Sequence, residues 1–442
     1  MQKSLTTFGL VAWVLLAGIQ NLREYIPLEM NVVLCFMLAP FVMRIQREGE
    51  YSVRYGWLAA GSLLAFHLIH MQIFFLLGVG ATIFMILEAR HGKMGILPLI
   101  LLILISPMLQ FLVRIFTFPI RLEMSRISGE ILRSAGYEVT VNGNIFETGP
   151  FRFAIDQACL GLNMIITGLI ITTLLITFAE RRTGLTTPVW KLAALYVTTI
   201  ILLLLSNFSR ILVIVIFKSP PETLSHELIG LACLILYVVV PLFFLTQRLN
   251  TATTPRPSKP GKSYTPVLGL ALFPPLVVAV FLLNLNRENY RYEPVDAKLL
   301  ALEIPGMEKK MLETGLAKFQ NENLLLYIKP PCRFWRSDHT PSICWQASGY
   351  ETEHIRTLKI GENEVFVAEL QKEEETLYTA WWYDNGTHKT MSQFDWRWKT
   401  LKGDKPFSLI NLTAADEVTL QAYCQQFLET PTIFSENNFN SK

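Results

Sequence analysis

Cys159, Arg210 and His226 are three residues whose types can do chemistry together, and each lies in or beside a long apolar run. A cysteine attacks as its thiolate, and a helix N-terminus lowers the thiol pKa from its free value of about 8.5. An arginine adds to that effect or holds an oxyanion. A histidine can protonate a leaving amine. The three types therefore indicate a nucleophile, Cys159, supported by Arg210 and His226.

Each of these residues also has a purely structural interpretation. A cysteine in a membrane helix usually packs, an arginine can anchor at the lipid interface, and a histidine can be an interfacial polar residue. An arginine inside an apolar run costs about 2.5–3.5 kcal/mol at midspan on insertion scales, which favours a functional Arg210. Two further residues extend the candidate site. Asn207 supports Arg210 or a substrate backbone, and Asp156 either orients a histidine or is stabilised by a helix dipole.

The composition indicates a polytopic membrane protein. Of the 442 residues, 51% are hydrophobic and only 17% are charged, whereas a typical soluble domain has about 25% charged residues. The net charge of +3 implies no nucleic-acid partner, and the six cysteines contain no Cys-x-x-Cys pair. We expect neither a metal nor another cofactor. His67 and His70 share a helical face, but no Asp, Glu or Cys stands close enough in sequence to complete a metal site.

The apolar residues form runs that can cross a bilayer core of roughly 30 Å, which takes about 20 residues as a helix. We predict about eight or nine transmembrane helices, because the third and fourth runs are weak and could form a hairpin that does not fully cross. The runs lie near residues 5–21, 26–43, 56–69, 71–87, 95–118, 160–178, 190–217, 227–245 and 266–285.

Lysines and arginines occupy alternate loops. They precede the first run and follow the second, fourth, sixth and eighth runs. Because basic loops stay in the cytoplasm, the N-terminus is predicted inside and the C-terminus outside. This orientation, set by loops elsewhere in the chain, brings Cys159, Arg210 and His226 to the outer membrane face.

The chain is predicted to contain a transmembrane domain, residues 1–286, and a small α+β extracytoplasmic domain, residues 287–442. Residues 366–389 indicate strand, turn and strand, with Asn385-Gly386 as a hairpin signal. Residues 412–431 predict a helix capped by Thr413 or Asp416. Roughly 150 residues are enough for a separate core.

The remaining cysteines fall into two groups. Cys332 and Cys344 lie in the predicted outer domain, where they form a disulfide in an oxidising compartment or stay as two unpaired thiols. Cys35 and Cys233 lie within apolar runs and Cys424 lies in the predicted helix, so we expect these three to pack.

Three short motifs resemble the signatures of the exosortase/archaeosortase family. They are ACLGLN around Cys159, NFSR ending at Arg210 and HELIG beginning at His226. In that family a Cys, an Arg and a His form the proposed active site of a membrane-embedded cysteine transpeptidase. The resemblance covers a catalytic core of about residues 130–245, and it departs at Leu160, where many members have a small or polar residue. PSICWQASGYE and LYTAWWYDNGTH are similar to an extracytoplasmic domain fused to some exosortases.

The resemblance implies a thiol protease and transpeptidase of the bacterial cytoplasmic membrane. Its substrates would be membrane-anchored proteins with a C-terminal sorting signal, made of a short motif, a transmembrane helix and a basic cluster. Cys159 would attack the peptide bond after the motif to give a thioester, and His226 would protonate the leaving amine. Two other functions stay open: a transporter or channel with Arg210 and His226 along its path, and a membrane transferase in surface-polymer assembly.

Overall fold

The computed structural model describes residues 30–249 and 297–429, with several positions between 11 and 29, and with gaps at 44, 48–51, 53, 70, 155–161, 221–222, 313–314, 331–340, 342–344 and 346–347. The chain forms two compact units. The first comprises Met1–Arg114 and Gln157–Glu288, and the second Ile115–Asp156 and Asn289–Lys442. The predicted boundaries, residues 1–286 and 287–442, did not anticipate that residues 115–156 belong with the C-terminal segment.

The first unit is helical, as long apolar runs must be in lipid, where every backbone polar group has to be bonded within the segment. A π-helical stretch, Ile235–Val239, joins its last two helices, and a short pair of strands, β1 (Ile45–Arg47) and β2 (Lys93–Met94), joins two loops. The helices are α1 (Met30–Val42), α2 (Arg54–Ile69), α3 (Gln72–His91), α4 (Leu97–Ile105), α5 (Pro107–Ser134, which continues into the second unit), α6 (Leu162–Thr183), α7 (Val189–Phe217), α8 (Leu224–Leu234) and α9 (Val240–Leu249).

Four helices in the described part of the chain are long and apolar enough to cross a membrane: Gln72–His91, Met164–Thr183, Val189–Phe217 and Leu224–Arg248. Most of the first predicted run and all of the ninth lie outside the described residues, so the count of about eight or nine spans stays a prediction. The weak fourth run forms a 20-residue helix, α3. It continues past Leu87 because the next residue, Glu88, is buried and paired with Arg54.

Three of the basic loops meet at one end of the first unit. Strand β1, after α1, pairs with β2, after α3. Arg54 supports this pairing, since its guanidinium lies 2.8 Å from the Glu88 carboxylate and donates to the Met94 carbonyl. Arg181, at the end of α6, donates to the Phe41 carbonyl at 2.6 Å and stacks on the Phe41 ring. These loops therefore share one side, as predicted, while the cytoplasmic identity of that side stays a prediction.

Helices α6 and α7 pack antiparallel. Their interface runs from the end of the first unit where the basic loops meet to the other end of that unit. Thr172 and Thr199 share a hydrogen bond of 2.9 Å between their hydroxyls. Nearer the start of α6, Gly168 leaves room for Leu203, whose methyl carbons lie 2.8 Å from where a Cβ on Gly168 would be. Small residues at helix interfaces let backbones approach closely in membranes. The next turns of this interface carry Met164 on α6 and Arg210 on α7.

The second unit is mainly antiparallel sheet. Its elements after α5 are β3 (Thr140–Asn142), β4 (Ile145–Thr148), β5 (Phe151–Ala154), α10 (Ala297–Ala301), β6 (Glu308–Met311), β7 (Ala317–Gln320), β8 (Leu324–Lys329), β9 (Glu351–Ile360), β10 (Asn363–Lys372), β11 (Glu375–Asp384), β12 (Lys389–Thr390), α11 (Gln393–Leu401), β13 (Ser408–Ala414) and α12 (Glu417–Glu429). The large sheet has the order β6-β7-β8-β13-β11-β10-β9, with β12 beside β11, and β3, β4 and β5 form a separate three-stranded sheet.

The large sheet is covered on both faces because successive side chains of a strand point to opposite sides. Trp382 points to one face, where Leu420 and Cys424 of α12 complete the core. Trp381 points to the other face, where Trp396 of α11 packs. Leu122 of α5 packs against this second cluster as well. The helix that emerges from the fifth apolar run and helix α11 thus cover the same face of the sheet.

The β3–β4 hairpin docks on an irregularity of the sheet. Residue His354 adopts a positive φ of 49°, and the β9–β10 register shifts at this point, as in a β-bulge. The hairpin turn presents Gly143, with a φ of 62°, to the carbonyl of the next residue, Ile355, and a Cβ at position 143 would overlap that oxygen. This close approach explains why residues 115–156 fold with the C-terminal segment.

The predicted Asn385-Gly386 turn and the predicted helix of residues 412–431 are both present, with two differences. Asn385-Gly386 forms the turn between β11 and β12, as expected, but a second tight turn at Glu373, φ 52°, separates β10 from β11. The acidic run EEE gave no turn signal. Helix α12 begins at Glu417 with Asp416 accepting from the Thr419 N–H at 2.8 Å, so the alternative cap, Thr413, was wrong. Thr413 belongs to β13.

Candidate active site

Arg210 lies between two helices near the end of α7. Its Nη1 is 3.5 Å from the Met164 sulfur on α6. On the other side it lies against Gly230 of α8, since a Cβ at that glycine would be 3.1 Å from Nε and 3.2 Å from Cζ. Only 8% of the Arg210 surface is exposed. It contacts a thioether and a glycine, and the Cys233 thiol lies close enough to interact with its charge. Its Nε has no hydrogen-bond partner among the described residues.

His226 belongs to the first turn of α8. Thr223 caps this helix by accepting from the His226 backbone N–H. Ser219, after α7, and Ser225, in the first turn of α8, share a hydrogen bond of 2.6 Å between their hydroxyls. His226 is buried, as are Gly230 and Cys233, and the spacing of four and three residues puts all three on one helical face. His226 thus lies one turn from the glycine that contacts Arg210.

Asn207 lies one turn before Arg210 on α7, on the ridge that also carries Leu203. It is 5% exposed, and neither its Nδ2 nor its Oδ1 has a hydrogen-bond partner among the described residues. A buried polar group without a partner costs about 1–3 kcal/mol. Buried polar groups are normally hydrogen-bonded, and the described residues supply no partner for this amide.

Cys159 and Asp156 lie outside the described residues, so their predicted contacts stay predictions. In sequence, Cys159 precedes Met164 by five residues. Met164 is the residue whose sulfur contacts Arg210.

The other cysteines divide as predicted where the structure describes them. Cys35, Cys233 and Cys424 are free and buried. Burial raises the pKa of the Cys424 thiol to about 12, as expected for an inert packing residue. Cys332 and Cys344, and with them the possible disulfide, lie outside the described residues.

The structure adds two residues that sequence reasoning missed. Gly230 was part of the HELIG motif, and its spacing from His226 was the available signal. Met164 carried no signal, because a methionine in an apolar helix is usually core. The π-helical stretch that follows Cys233 was also not predicted, and such segments occur frequently at functional sites.

Comparison with known proteins gives one family. A model of the transmembrane exosortases matches residues 4–245, which is more than half of the chain and includes Arg210, His226 and the Cys159 segment. No curated protein and no solved structure shows a significant match to the chain.

Proposed function

Because the chain belongs to the transmembrane exosortase family, we propose that it is a cysteine transpeptidase of the cytoplasmic membrane that cleaves the C-terminal sorting signal of membrane-tethered exported proteins. The family itself implies a membrane transpeptidase-type role and protein substrates with C-terminal sorting signals. The cleavage step, the residues that perform it and the side of the membrane on which it occurs are the proposal.

One observation carries this proposal. The guanidinium of Arg210 lies between the first turn of α6, at Met164, and the second turn of α8, at Gly230. The segment just before α6 carries Cys159, and the start of α8 carries His226. The arginine thus connects the two chain segments that hold the proposed nucleophile and the proposed acid.

Arg210 would act as the electrostatic centre of the reaction. Its charge is buried and its described neighbours carry none, so it can stabilise an anion with little competition. That anion is first the Cys159 thiolate and then the oxyanion of the tetrahedral intermediate. A planar guanidinium with several N–H donors suits both tasks.

The reaction conserves atoms and protons in two steps. The Cys159 sulfur forms a bond to the carbonyl carbon after the sorting motif, and the tetrahedral intermediate collapses as the C–N bond breaks. His226 gives its proton to the leaving amine, which departs with the transmembrane tail. The thioester is then attacked by an amine or by water, which gives a proton back to His226, and the thiolate leaves as the C–S bond breaks.

Asn207 would bind the substrate backbone. An extended peptide presents an N–H and a C=O in one plane, which a carboxamide can match with its own acceptor and donor. Asn207 has both atoms buried and without a partner in the described part of the chain. A substrate segment that pairs with them would remove the cost of two unsatisfied groups.

The same end of the helices would face outward. Met164 and Arg181 lie at opposite ends of α6, and Arg181 belongs to the end where three basic loops gather. Because basic loops favour the cytoplasm, the Arg210 site is proposed to face the extracytoplasmic side. Exported substrates are reached there before they leave the membrane.

The proposal is tested by capture of the acyl-enzyme. The full chain is co-expressed with a candidate tail-anchored substrate, and a covalent adduct between enzyme and truncated substrate is sought on non-reducing gels. We expect an adduct that hydroxylamine removes and that is lost in Cys159→Ala. Cys35→Ala is the matched control and should retain it, because this cysteine is free and packs in the apolar core at α1. An adduct that persists in Cys159→Ala would contradict the proposal.

A further inference from the structure

Helix α11 of the second unit has large apolar side chains on its exposed side as well as on its buried side. Trp396 packs against the sheet, and Arg397 is buried beside it. Phe394, Trp398 and Leu401 are exposed by 56%, 47% and 53%, and their spacing of four and three residues forms one outward stripe. A surface helix normally has one apolar face and one polar face. We call the stripe of Phe394, Trp398 and Leu401 the aromatic face.

The aromatic face is concentrated and ordered. Five large apolar side chains are exposed in the described part of residues 297–429, and three of them form this face, while Leu300 and Val418 lie on other helices. The rings of Phe394 and Trp398 stack with an interplanar angle of 11°. Contiguous exposed apolar surface of this kind marks an interaction site rather than chance exposure.

Basic residues surround the aromatic face. Lys402 places its ammonium 5.1 Å from the centre of the Trp398 ring. Lys399 precedes it on the helix, and Lys405 follows in the exposed loop, where Asp404 is the acidic neighbour. Trp and Phe with flanking lysines are typical of surfaces in the headgroup region of a bilayer, where the rings enter the interface and the ammonium groups contact phosphates.

Few residues of the chain join the sheet face that α11 covers to the fifth apolar run. Leu122 of α5 packs on that face. In sequence, residue 122 comes four residues after the end of the fifth apolar run at residue 118.

We propose that the aromatic face of α11 inserts into the headgroup region of the bilayer that the chain spans. The occupant is lipid rather than a protein partner, because the domain is permanently joined to the membrane and its exposed face combines aromatic rings with cationic groups. This inference does not depend on the peptidase activity.

Photocrosslinking of the full chain in nanodiscs of phosphatidylethanolamine and phosphatidylglycerol tests the proposal. p-Benzoylphenylalanine is placed either at position 398 or at position 418, where Val418 is exposed but lies on α12. We expect labelled phospholipid to attach several-fold more from position 398. Equal attachment from both positions, or none from position 398, would overturn the proposal.

A second measurement uses a milder change. Brominated phospholipids quench tryptophan emission only at short range, so wild type and Trp398→Phe are compared in brominated and ordinary nanodiscs. We expect the substitution to remove a quenched component of the emission. Thermal unfolding of Trp398→Phe checks that the fold is retained, since a phenylalanine keeps the stack on Phe394. A quenched component of unchanged size would contradict insertion of α11.

Discussion

The Nε of Arg210 lies 3.1 Å from the point where a Cβ on Gly230 would be, so the guanidinium rests against the backbone of α8. A glycine is the one residue that permits this without displacement. Because Gly230 follows His226 by one helical turn, the contact fixes the position of the charge relative to the histidine.

Gly230→Ala is expected to reduce processing while leaving the fold intact. The new methyl group displaces the guanidinium by a few tenths of an ångström, and we expect a loss on the order of tenfold, given that a misplacement of ~1 Å can cost about 100-fold. Gly230→Val should lose more. Stability should not fall, because alanine is the better helix former by about 1 kcal/mol.

The matched control is Gly61→Ala in α2, where nothing lies within 4 Å of the added Cβ. It gains the same helix propensity without contact to the site and should process at the wild-type rate. Wild-type processing by Gly230→Val would show that the Arg210 contact has no part in activity.

Asn207→Leu is expected to separate stability from function. The substitution keeps the side-chain size and removes two buried polar atoms that have no partner in the described part of the chain, so thermal stability should stay or rise. Processing should fall through weaker substrate binding, seen as a raised KM with a smaller change in kcat. Ser206→Ala is the control: it removes a neighbouring buried hydroxyl from α7 and should process normally. An unchanged KM in Asn207→Leu would contradict backbone binding.

Arg54→Ala is expected to destabilise the first unit far more than removal of an exposed arginine. Glu88 is fully buried, and its carboxylate would lose the Arg54 partner and, among the described residues, keep the Met94 N–H alone. Breaking a fully buried ion pair costs about 3–5 kcal/mol, and less here because Arg54 is 44% exposed. Arg126→Ala removes only exposed ion pairs, which solvent screens, and should shift the unfolding midpoint little. Thermal unfolding in detergent that gives equal midpoint shifts would contradict this assignment.

Two aspartates of the second unit should respond to pH with opposite sign. Burial raises the pKa of Asp384, so its charged form penalises the fold above the folded pKa, and the penalty is lost as pH falls. Asp384→Asn should therefore stabilise most at neutral pH.

Hydrogen bonds from Thr419 lower the pKa of Asp416. The contribution of Asp416 to folding stability is therefore present above the unfolded pKa and is lost as pH falls through the folded pKa. Asp416→Asn should destabilise at neutral pH and not in acid. Thermal unfolding with the same sign for both variants would contradict the two environments.

The helices of the first unit could be predicted from sequence where a long apolar run is bounded by charged residues. The runs near 160–178 and 190–217 became α6 and α7 with boundaries close to those expected. The extent of α3 could not be predicted from sequence, because Glu88 counts as a charge there and its ion-pair partner Arg54 is 34 residues away. Local patterns do not contain such pairings.

The candidate site was predictable in its residue types but not in its contacts. Motif spacing indicated Arg210 and His226, whereas the role of Gly230 depends on which helix packs against α7. The placement of residues 115–156 with the C-terminal segment depends likewise on the meeting of Gly143 and Ile355, more than 200 residues apart. Such contacts come from tertiary packing, and a single sequence carries no local sign of them.

The central claim, that Cys159 is the nucleophile, is tested most directly by Cys159→Ser. A serine keeps the size of the side chain and replaces the thiol by a hydroxyl, which is a far weaker nucleophile without a strong base. We predict that cleavage of a co-expressed tail-anchored substrate disappears, although the variant accumulates in the membrane at the wild-type level. Cleavage at the wild-type rate by a stably accumulated Cys159→Ser variant would contradict the account.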